Sequence, residues 1–538
     1  MEFVLTKIMK ILVADKISTI GVDFLKKQSN FEIIEAYGSS REKIMEIVSD
    51  VSAIIVRSDT KVDAEVIKVS PLLKVIGRAG VGVDNIDVDA ATANGVIVAN
   101  TPSGNTIATA ELTITHLLCG TRPIAQANAS VKAGKWNRKS FSGSELNKKT
   151  LGILGLGRIG AEVAKRAKAF AMSVWAYDPY LTEERAKTLD IVPKTLDGIL
   201  TGSDYITVHM PLLESTYHMI DEEAFSKMKD GVRIFNCARG GIIKESALVE
   251  AMQSGKVAAA GLDVYEKEPI DPESPLLKLD QLVQTPHLGA STKEAQESVG
   301  LEVAEVITEI LSGGAIRNAI NMPSVDQATL EALAPFMELC SILGTVVQQL
   351  APEKVIKLEV VYRGQILDLD STPLSRAIQK GYLRKICGNE VNDVNAPQIL
   401  KTQGIEVAVI QSNEKSDYTD LIEITAIASN GETATVKGTL IGNHQEPRVV
   451  SINGRDIESS LRNTLLIFEN DDLPGIVGFV GTVLGSNHVN IANMSLSRQE
   501  IGTLALNLVE LDTLPPNNVV SELQEHPAIK EIKLVQIN

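Results

Sequence analysis

Cysteine is scarce in this 538-residue chain, with four residues (Cys119, Cys237, Cys340 and Cys387) and no CxxC spacing. That usage excludes a small disulfide-stapled secreted fold and a cysteine zinc site, and it fits reduced, buried thiols in a cytoplasmic protein. Basic blocks are missing too, and the formal net charge is −16. Nucleic acid and anionic membrane are therefore excluded as main partners. There is no unbroken run of about 18 apolar residues, so no membrane span is expected. Residues 1–10 have neither a long apolar core nor a small-residue cleavage site, so no signal peptide is expected, and Met9 is as good a natural start as Met1. The histidines show no metal-ligand spacing, so no metal is expected. Internal repeats and low-complexity segments are absent. What is present is 44% apolar residues over a length that suits about three to four domains.

The richest stretch runs from Thr150 to Asp178. An apolar strand, Thr150–Leu154, leads into Gly155-Leu-Gly157-Arg158-Ile159-Gly160, then a helical stretch, then a second strand ending in Asp178. Gly155 allows the tight turn, Gly157 a close approach of backbone to a pyrophosphate, and Gly160 helix–strand packing. The helix N-terminus offers free N–H groups and a positive dipole end to phosphates. Asp178, 18 residues beyond Gly160, can accept both ribose hydroxyls, and it would repel a 2′-phosphate. NAD is therefore expected as cofactor rather than NADP.

The rest of the chain reads as alternating elements. Apolar runs at 11–14, 32–35, 53–56, 74–77 and 96–99 separated by helical patterns imply βα units on a parallel sheet. A helix is predicted over 106–121, and further strands at 205–209, 232–236, 258–264 and 282–285. Ser291-Thr-Lys-Glu294 reads as a capping box opening a helix whose apolar face is Val299, Val303, Val306 and Ile310. Residues 325–455 read as mixed α/β. The tail from about 463 has the order βαββαβ, a ferredoxin-like split motif.

Three segments leave strand ends in the cofactor region: Asn236-Cys237-Ala238-Arg239-Gly-Gly241, Asp263 to Glu268-Pro269, and Thr285-Pro-His287. Ligands of open α/β sheets bind at such ends. Arg, Glu and His together suit the oxidation of a 2-hydroxy acid. Histidine can take the hydroxyl proton near neutrality, a carboxylate fixes its tautomer, and a guanidinium holds the substrate carboxylate. Singly, each could be a salt bridge, a capping group or a solvated acid; jointly, after a dinucleotide fingerprint, they point to a site.

These motifs resemble those of the NAD-dependent D-2-hydroxyacid dehydrogenase family, over nearly the whole chain. The resemblance implies an α/β protein with two doubly wound parallel-sheet domains. A substrate domain (9–106, completed by 291–318) encloses a Rossmann-type NAD domain (107–290) in sequence, and a mixed α/β intervening domain (322–458) and a ferredoxin-like βαββαβ ACT domain (463–538) follow. It implies Arg239 as carboxylate clamp, Glu268 as partner carboxylate and His287 as acid/base. It implies cofactor contacts at Gly155, Gly157, Arg158, Ile159, Gly160, Asp178, Cys237, Ala238, Arg239, Asp263, His287, Leu288, Gly289 and Ala290, with Asp263 facing the nicotinamide carboxamide.

In the long members of such a family the implied substrate is 3-phospho-D-glycerate, the starting acid of serine synthesis. Its phosphate calls for further cations. Arg57 with Ser58, and Arg78 with Val81 and Gly82, are the candidates, with Arg138 and Lys139 as a possible supplement across a subunit boundary. In the tail, Asn470, Asp472 and Asn490 resemble the ligand-binding turns of ACT domains, which take amino-acid effectors. Asp472 stands where some serine-inhibited relatives have asparagine. A homodimer or homotetramer is implied. The alternatives are a reductase of glyoxylate, hydroxypyruvate or 2-oxoglutarate, and a non-catalytic NAD-sensing protein. An intact Arg239, Glu268 and His287 set counts against the last.

Overall fold

A computed structural model of the chain describes residues 8–460, 464–498, 500 and 503–537. The segment bearing on the choice between Met1 and Met9 lies outside the described residues, Met9 apart.

The first sheet is parallel and has five strands: β1 (Met9–Val13), β2 (Phe31–Glu35), β3 (Ala53–Val56), β4 (Val75–Arg78) and β5 (Ile97–Ala99), in the order β2-β1-β3-β4-β5. Its central strands are continuous runs such as Ala53-Ile-Ile-Val56, buried at every position, because helices cover both faces. One covering helix comes from far along the chain. Lys293–Leu311 packs Val299, Val303, Ala304 and Ile307 against Ile11, Val13, Ile55 and Val75. Its cap differs from the sequence expectation. Thr292, not Ser291, accepts the Ala295 N–H at 3.1 Å, so the first turn starts one residue later.

The second sheet is also parallel and has seven strands: β6 (Thr150–Leu154), β7 (Ser173–Tyr177), β8 (Val192–Pro193), β9 (Tyr205–Val208), β10 (Val232–Asn236), β11 (Val257–Leu262) and β12 (Leu282–Gln284). The order β12-β11-β10-β9-β6-β7-β8 reverses direction between β6 and β9. That switch point opens a crevice at the carboxyl ends of the strands. The helix Thr106–Thr121 lies along β10, β11 and β12 and is the link from the first sheet to the second.

The remaining chain forms two mainly antiparallel sheets. One is built of β13 (Val355–Gly364), β14 (Glu406–Gln411), β15 (Asp420–Ala428), β16 (Thr433–Ile441), β17 (Glu446–Ile452) and β18 (Arg455–Ser459), in the order β14-β13-β15-β16-β17-β18. The other is built of β19 (Thr464–Asp471), β20 (Ile491–Arg498), β21 (Leu504–Leu511) and β22 (Ile529–Gln536), in the ferredoxin-like order β20-β21-β19-β22. One face of the latter packs Leu466, Phe468 and Val509 on its own helices. The other face contributes Leu465, Ile467, Leu506, Leu508 and Val535 to the same apolar core as Leu339 and Leu343. The polar joint is Glu510, which accepts from the Ser459 hydroxyl at 2.6 Å and the Ser460 N–H at 2.8 Å. The break near 460 therefore separates two sheets that share one core.

Among the described residues, one helix, Gln327–Leu350, is long and apolar enough to cross a membrane. Half of its most apolar 18-residue stretch is buried, with Leu339, Cys340, Leu343, Val346 and Val347 in the core beneath the β13–β18 sheet.

Candidate active site

Strands β10, β11 and β12 are parallel neighbours, so the segments leaving their ends meet. At the end of β10 the Asn236 side chain folds the turn on itself. Its amide donates to the Arg239 carbonyl at 2.8 Å and its oxygen accepts the Ala238 N–H at 3.0 Å. At the end of β12, His287 adopts a left-handed backbone with φ 54°, a conformation that a non-glycine residue holds only when its surroundings impose it. Asp263, fully buried at the end of β11, imposes it. Its carbonyl accepts the His287 N–H at 2.9 Å, Oδ1 the Leu288 N–H at 2.7 Å, and Oδ2 the Gly289 N–H at 2.9 Å. Asp263 is thus the strand-end acceptor that shapes the histidine turn, rather than an exposed group facing the crevice.

The His287 side chain is 48% exposed, and its Nδ1 lies 2.7 Å from Glu268 Oε2. Because a carboxylate only accepts, Nδ1 carries the proton in this contact, and Nε2 is the nitrogen left able to act as a base. Burial alone would raise the Glu268 carboxyl. The hydrogen bond from His287, the Tyr265 N–H and the charges of His287 and Arg239 outweigh it, and the carboxyl ends below the ordinary glutamate value. Glu268 is accordingly an ionised partner of the imidazole across neutral pH.

Arg239 faces the first sheet. A side chain at Gly82 would collide with its guanidinium, and Asp84 Oδ2 lies 3.3 Å from its Nε. Arg78 stands close by. Burial, and then the neighbouring Arg239 charge, lower its pKa to about 10. Its Nε has no hydrogen-bond partner among the described residues. A cavity of about 290 Å³ opens beside this cluster, lined among others by Lys16, Ser18, Arg57, Ala290 and Gln296. The buried Asp15 carboxylate sets the Arg57 loop by accepting the Arg57 N–H at 2.6 Å and the Thr60 N–H at 3.1 Å. Ser58 is turned to Asp59, and Val81 takes part through its carbonyl, which accepts from Asn100. Three side chains of this region were missed from sequence. Lys16, directly after β1, was findable from the strand-end rule; Asp84 and Gln296 carried no signal of their own.

The cofactor turn has the shape that the glycines dictate. Gly155 has φ 94°. A side chain at Gly160 would strike the Gly155 carbonyl, whereas one at Gly157 would meet open space, the room a pyrophosphate needs. Gly157 precedes the helix Arg158–Ala169, whose first N–H groups face that room. Arg158 is exposed and Ile159 half-buried. Asp178 directly follows β7; its Oδ2 accepts the Leu156 N–H and its Oδ1 the Tyr180 N–H, both at 2.8 Å, and each oxygen keeps a lone pair for a ribose hydroxyl. Cys237 is buried, and burial pushes its thiol up to about 12, so it is a neutral thiol that lends only backbone. These residues fit NAD.

The tail residues each have a partner already. Asn470 is buried and holds the Asn507 amide at 2.5 Å. Asp472 pairs with Arg498 at 2.7 Å, and Asn490 donates to Asp512 at 2.6 Å. Arg138 and Lys139 lie on an exposed turn, Arg138–Phe141.

A doubly wound NAD fold with Arg, Glu and His at adjacent strand ends defines a dehydrogenase of hydroxy acids. Comparison with known proteins agrees. The D-isomer specific 2-hydroxyacid dehydrogenase NAD-binding domain matches residues 114–289, and the D-3-phosphoglycerate dehydrogenase intervening domain matches residues 332–453. D-3-phosphoglycerate dehydrogenase of Archaeoglobus fulgidus is 43% identical over 98% of this chain and 100% of its own. The proteins of the same name from Methanocaldococcus jannaschii and Bacillus subtilis are 41% and 40% identical over 98% of this chain, covering 100% and 99% of their own lengths. Among solved structures, a glyoxylate reductase from Paecilomyes thermophila matches with TM-score 0.55 and 35% identity over 58% of this chain and 98% of its own. D-lactate dehydrogenase of Aquifex aeolicus, complexed with NAD and lactic acid, matches with TM-score 0.52 and 30% identity over 59% of this chain and 100% of its own. The chain belongs to the D-3-phosphoglycerate dehydrogenase family, within the NAD-dependent D-2-hydroxyacid dehydrogenases.

Proposed function

We propose that the chain oxidises 3-phospho-D-glycerate to 3-phosphohydroxypyruvate with NAD, the entry to serine synthesis. The observation that carries this reading is the juxtaposition of the Arg239, Glu268 and His287 set with a cavity that gathers Lys16 and Arg57 and has Arg78 close by. In a protein of net charge −16, such a cationic cluster suits a substrate with an anion at each end. The substrate carboxylate lies on the Arg239 fork. Its phosphate lies toward Arg57 and Lys16. The C2 hydroxyl then reaches His287 Nε2, which takes the proton while Glu268 stabilises the resulting imidazolium. The Gly155–Gly160 turn and Asp178 would hold NAD, which when bound would supply the acceptor for the hydride leaving C2. Cys237 and Ala238, with the backbone from Leu288 to Ala290, wall the nicotinamide end.

NADH formation from 3-phosphoglycerate, set beside D-glycerate, tests this. Arg57→Ala is expected to raise the KM for the phosphorylated acid by about 10- to 100-fold, the worth of one charge-assisted contact. The preference over D-glycerate falls in step. Equal turnover of both acids by the unaltered protein would exclude the phosphate reading and favour an unphosphorylated 2-hydroxy acid.

The working form is a homodimer or homotetramer. Supporting it are Ile124, Val131 and Trp136, which are exposed together on and just after the helix Ile124–Lys132, Trp136 at 81%. An amino-acid effector at the tail would have to displace the Asp472–Arg498 pair and the Asn490–Asp512 bond. Light scattering with and without L-serine checks both points. A monomeric mass that Trp136→Ala leaves unchanged would exclude the first, and unchanged mass and rate with serine would exclude serine as that effector.

A further inference from the structure

The helix Thr106–Thr121 places a histidine, His116, where its buried face meets β11 and β12. The ring is 1% exposed, and burial lowers its pKa, so it is a neutral imidazole. Its Nε2 lies 2.9 Å from Thr285 Oγ1, and Thr285 Oγ1 lies 2.6 Å from Asp263 Oδ1. The proton positions follow from the end of this chain. The Asp263 carboxylate takes the N–H groups of Leu288 and Gly289, so it is the acceptor throughout. The one Thr285 proton goes to Asp263, and the Thr285 oxygen must then receive its own donor. That donor is the His116 Nε2–H, which leaves Nδ1 bare. Nδ1 has no partner among the described residues. A methyl group on Gly261 would lie 2.7 Å from it, so a glycine near the carboxyl end of β11 makes room for the ring.

A leucine would occupy this site without a bare nitrogen, a buried unpaired acceptor being unfavourable, but it would leave the Thr285 hydroxyl without its donor. Packing therefore does not account for His116. We propose that His116 is a positioning residue for the catalytic histidine. Its N–H, passed through the Thr285 hydroxyl, fixes the rotation of the Asp263 carboxylate, and that carboxylate holds the left-handed turn on which His287 stands. With the donor in place, Oδ1 serves Thr285 and Leu288 while Oδ2 serves Gly289. Without it the Thr285 hydroxyl is free to turn, the carboxylate loses a fixed partner, and the imidazole of His287 samples positions off the line to the C2 hydroxyl. Reaction rates respond steeply to such displacements.

The inference rests on His287 being the base, so His287→Gln is assayed in parallel. The readout is the single-turnover rate of NADH formation from 3-phosphoglycerate, with KM values and thermal midpoints measured on the full chain. His116→Leu is expected to slow the single turnover by about tenfold, with both KM values within about twofold. His116→Gln, which returns an N–H near the place of Nε2, restores the rate to within about threefold. The double variant His116→Leu, Thr285→Val is expected to be no slower than Thr285→Val alone, because both act through one chain. If His116→Leu does not fold, Thr285→Val against Thr285→Ser carries the same test, serine keeping the hydroxyl and the rate. A His116→Leu protein that turns over at the unaltered rate, whatever its thermal midpoint, would overturn the proposal. So would equal losses with leucine and glutamine, or additive losses in the double variant. If His287→Gln retains activity, the base assignment fails instead; if it is inactive while His116→Leu is unaffected, only the positioning role fails.

Discussion

His287→Gln lowers the rate of NADH formation from 3-phosphoglycerate by about 10²- to 10⁴-fold at saturating substrates, the range that a positioned general base supplies. Glutamine keeps much of the size and one polar contact to Glu268, but it cannot take the C2 proton. On the proposed binding mode Arg239 and the cavity cations hold the two anionic ends of the acid, so its KM is expected to change little. Initial rates with both substrates varied check this, and turnover within tenfold of the unaltered protein would remove His287 from the proton's path. Burial alone would raise the Glu268 carboxyl, but the hydrogen bond from His287 outweighs it and holds the group below the ordinary glutamate value, so Glu268 stays ionised until the pH falls below that value. Glu268→Gln removes the carboxylate that stabilises the imidazolium formed as the proton is taken, so kcat is expected to drop by about tenfold or more. A kcat within about twofold of the unaltered protein would mean that Glu268 merely holds the ring.

Much of this site was legible because its parts are local. Gly155, Gly157 and Gly160 are fixed by one turn and the first turn of one helix, so spacing alone describes them. Arg239, Glu268 and His287 follow strand ends, and parallel strands bring their carboxyl ends together whatever the intervening sequence. What sequence could not supply was depth and direction. Asp263 stands at a strand end like the others, yet its oxygens are spent on Thr285, Leu288 and Gly289, and it is sealed from the crevice. His116 falls within the helix predicted over 106–121, and only the meeting of that helix with β12 brings it to Thr285. Asp84 and Gln296 belong to segments more than 200 residues apart, the one reaching Arg239 and the other lining the cavity with Arg57. No local pattern marks such a pair. The tail shows the same limit, since the alternation along β19 reveals two apolar faces but not that one of them faces Leu339 and Leu343.

Arg239→Leu has the second large expected effect. A guanidinium fork on a carboxylate makes two charge-assisted hydrogen bonds, each worth about 1.5–3 kcal/mol when buried. Losing both lowers kcat/KM for 3-phosphoglycerate by about 10²- to 10⁴-fold. Arg239→Lys keeps a charge without the fork, so it falls between the two. The setting sharpens the expectation. Asp84 lies 3.3 Å from Arg239 Nε and also acts on Arg78. On the proposed binding mode the substrate carboxylate and Asp84 share one guanidinium, and removing it leaves the Asp84 charge without that partner as the anion arrives. The loss should exceed that of Arg57→Ala, where the remaining Lys16 still serves the phosphate. Inhibition by glycerol 3-phosphate, which lacks the carboxylate, separates binding at the two ends. Arg239→Leu leaves its inhibition constant within about threefold, while Arg57→Ala weakens it along with substrate, each contact acting on its own end of the ligand. If Arg239→Leu weakened the carboxylate-free ligand as much as the substrate, the arginine would be shaping the crevice, and the clamp would have to be sought at Arg78.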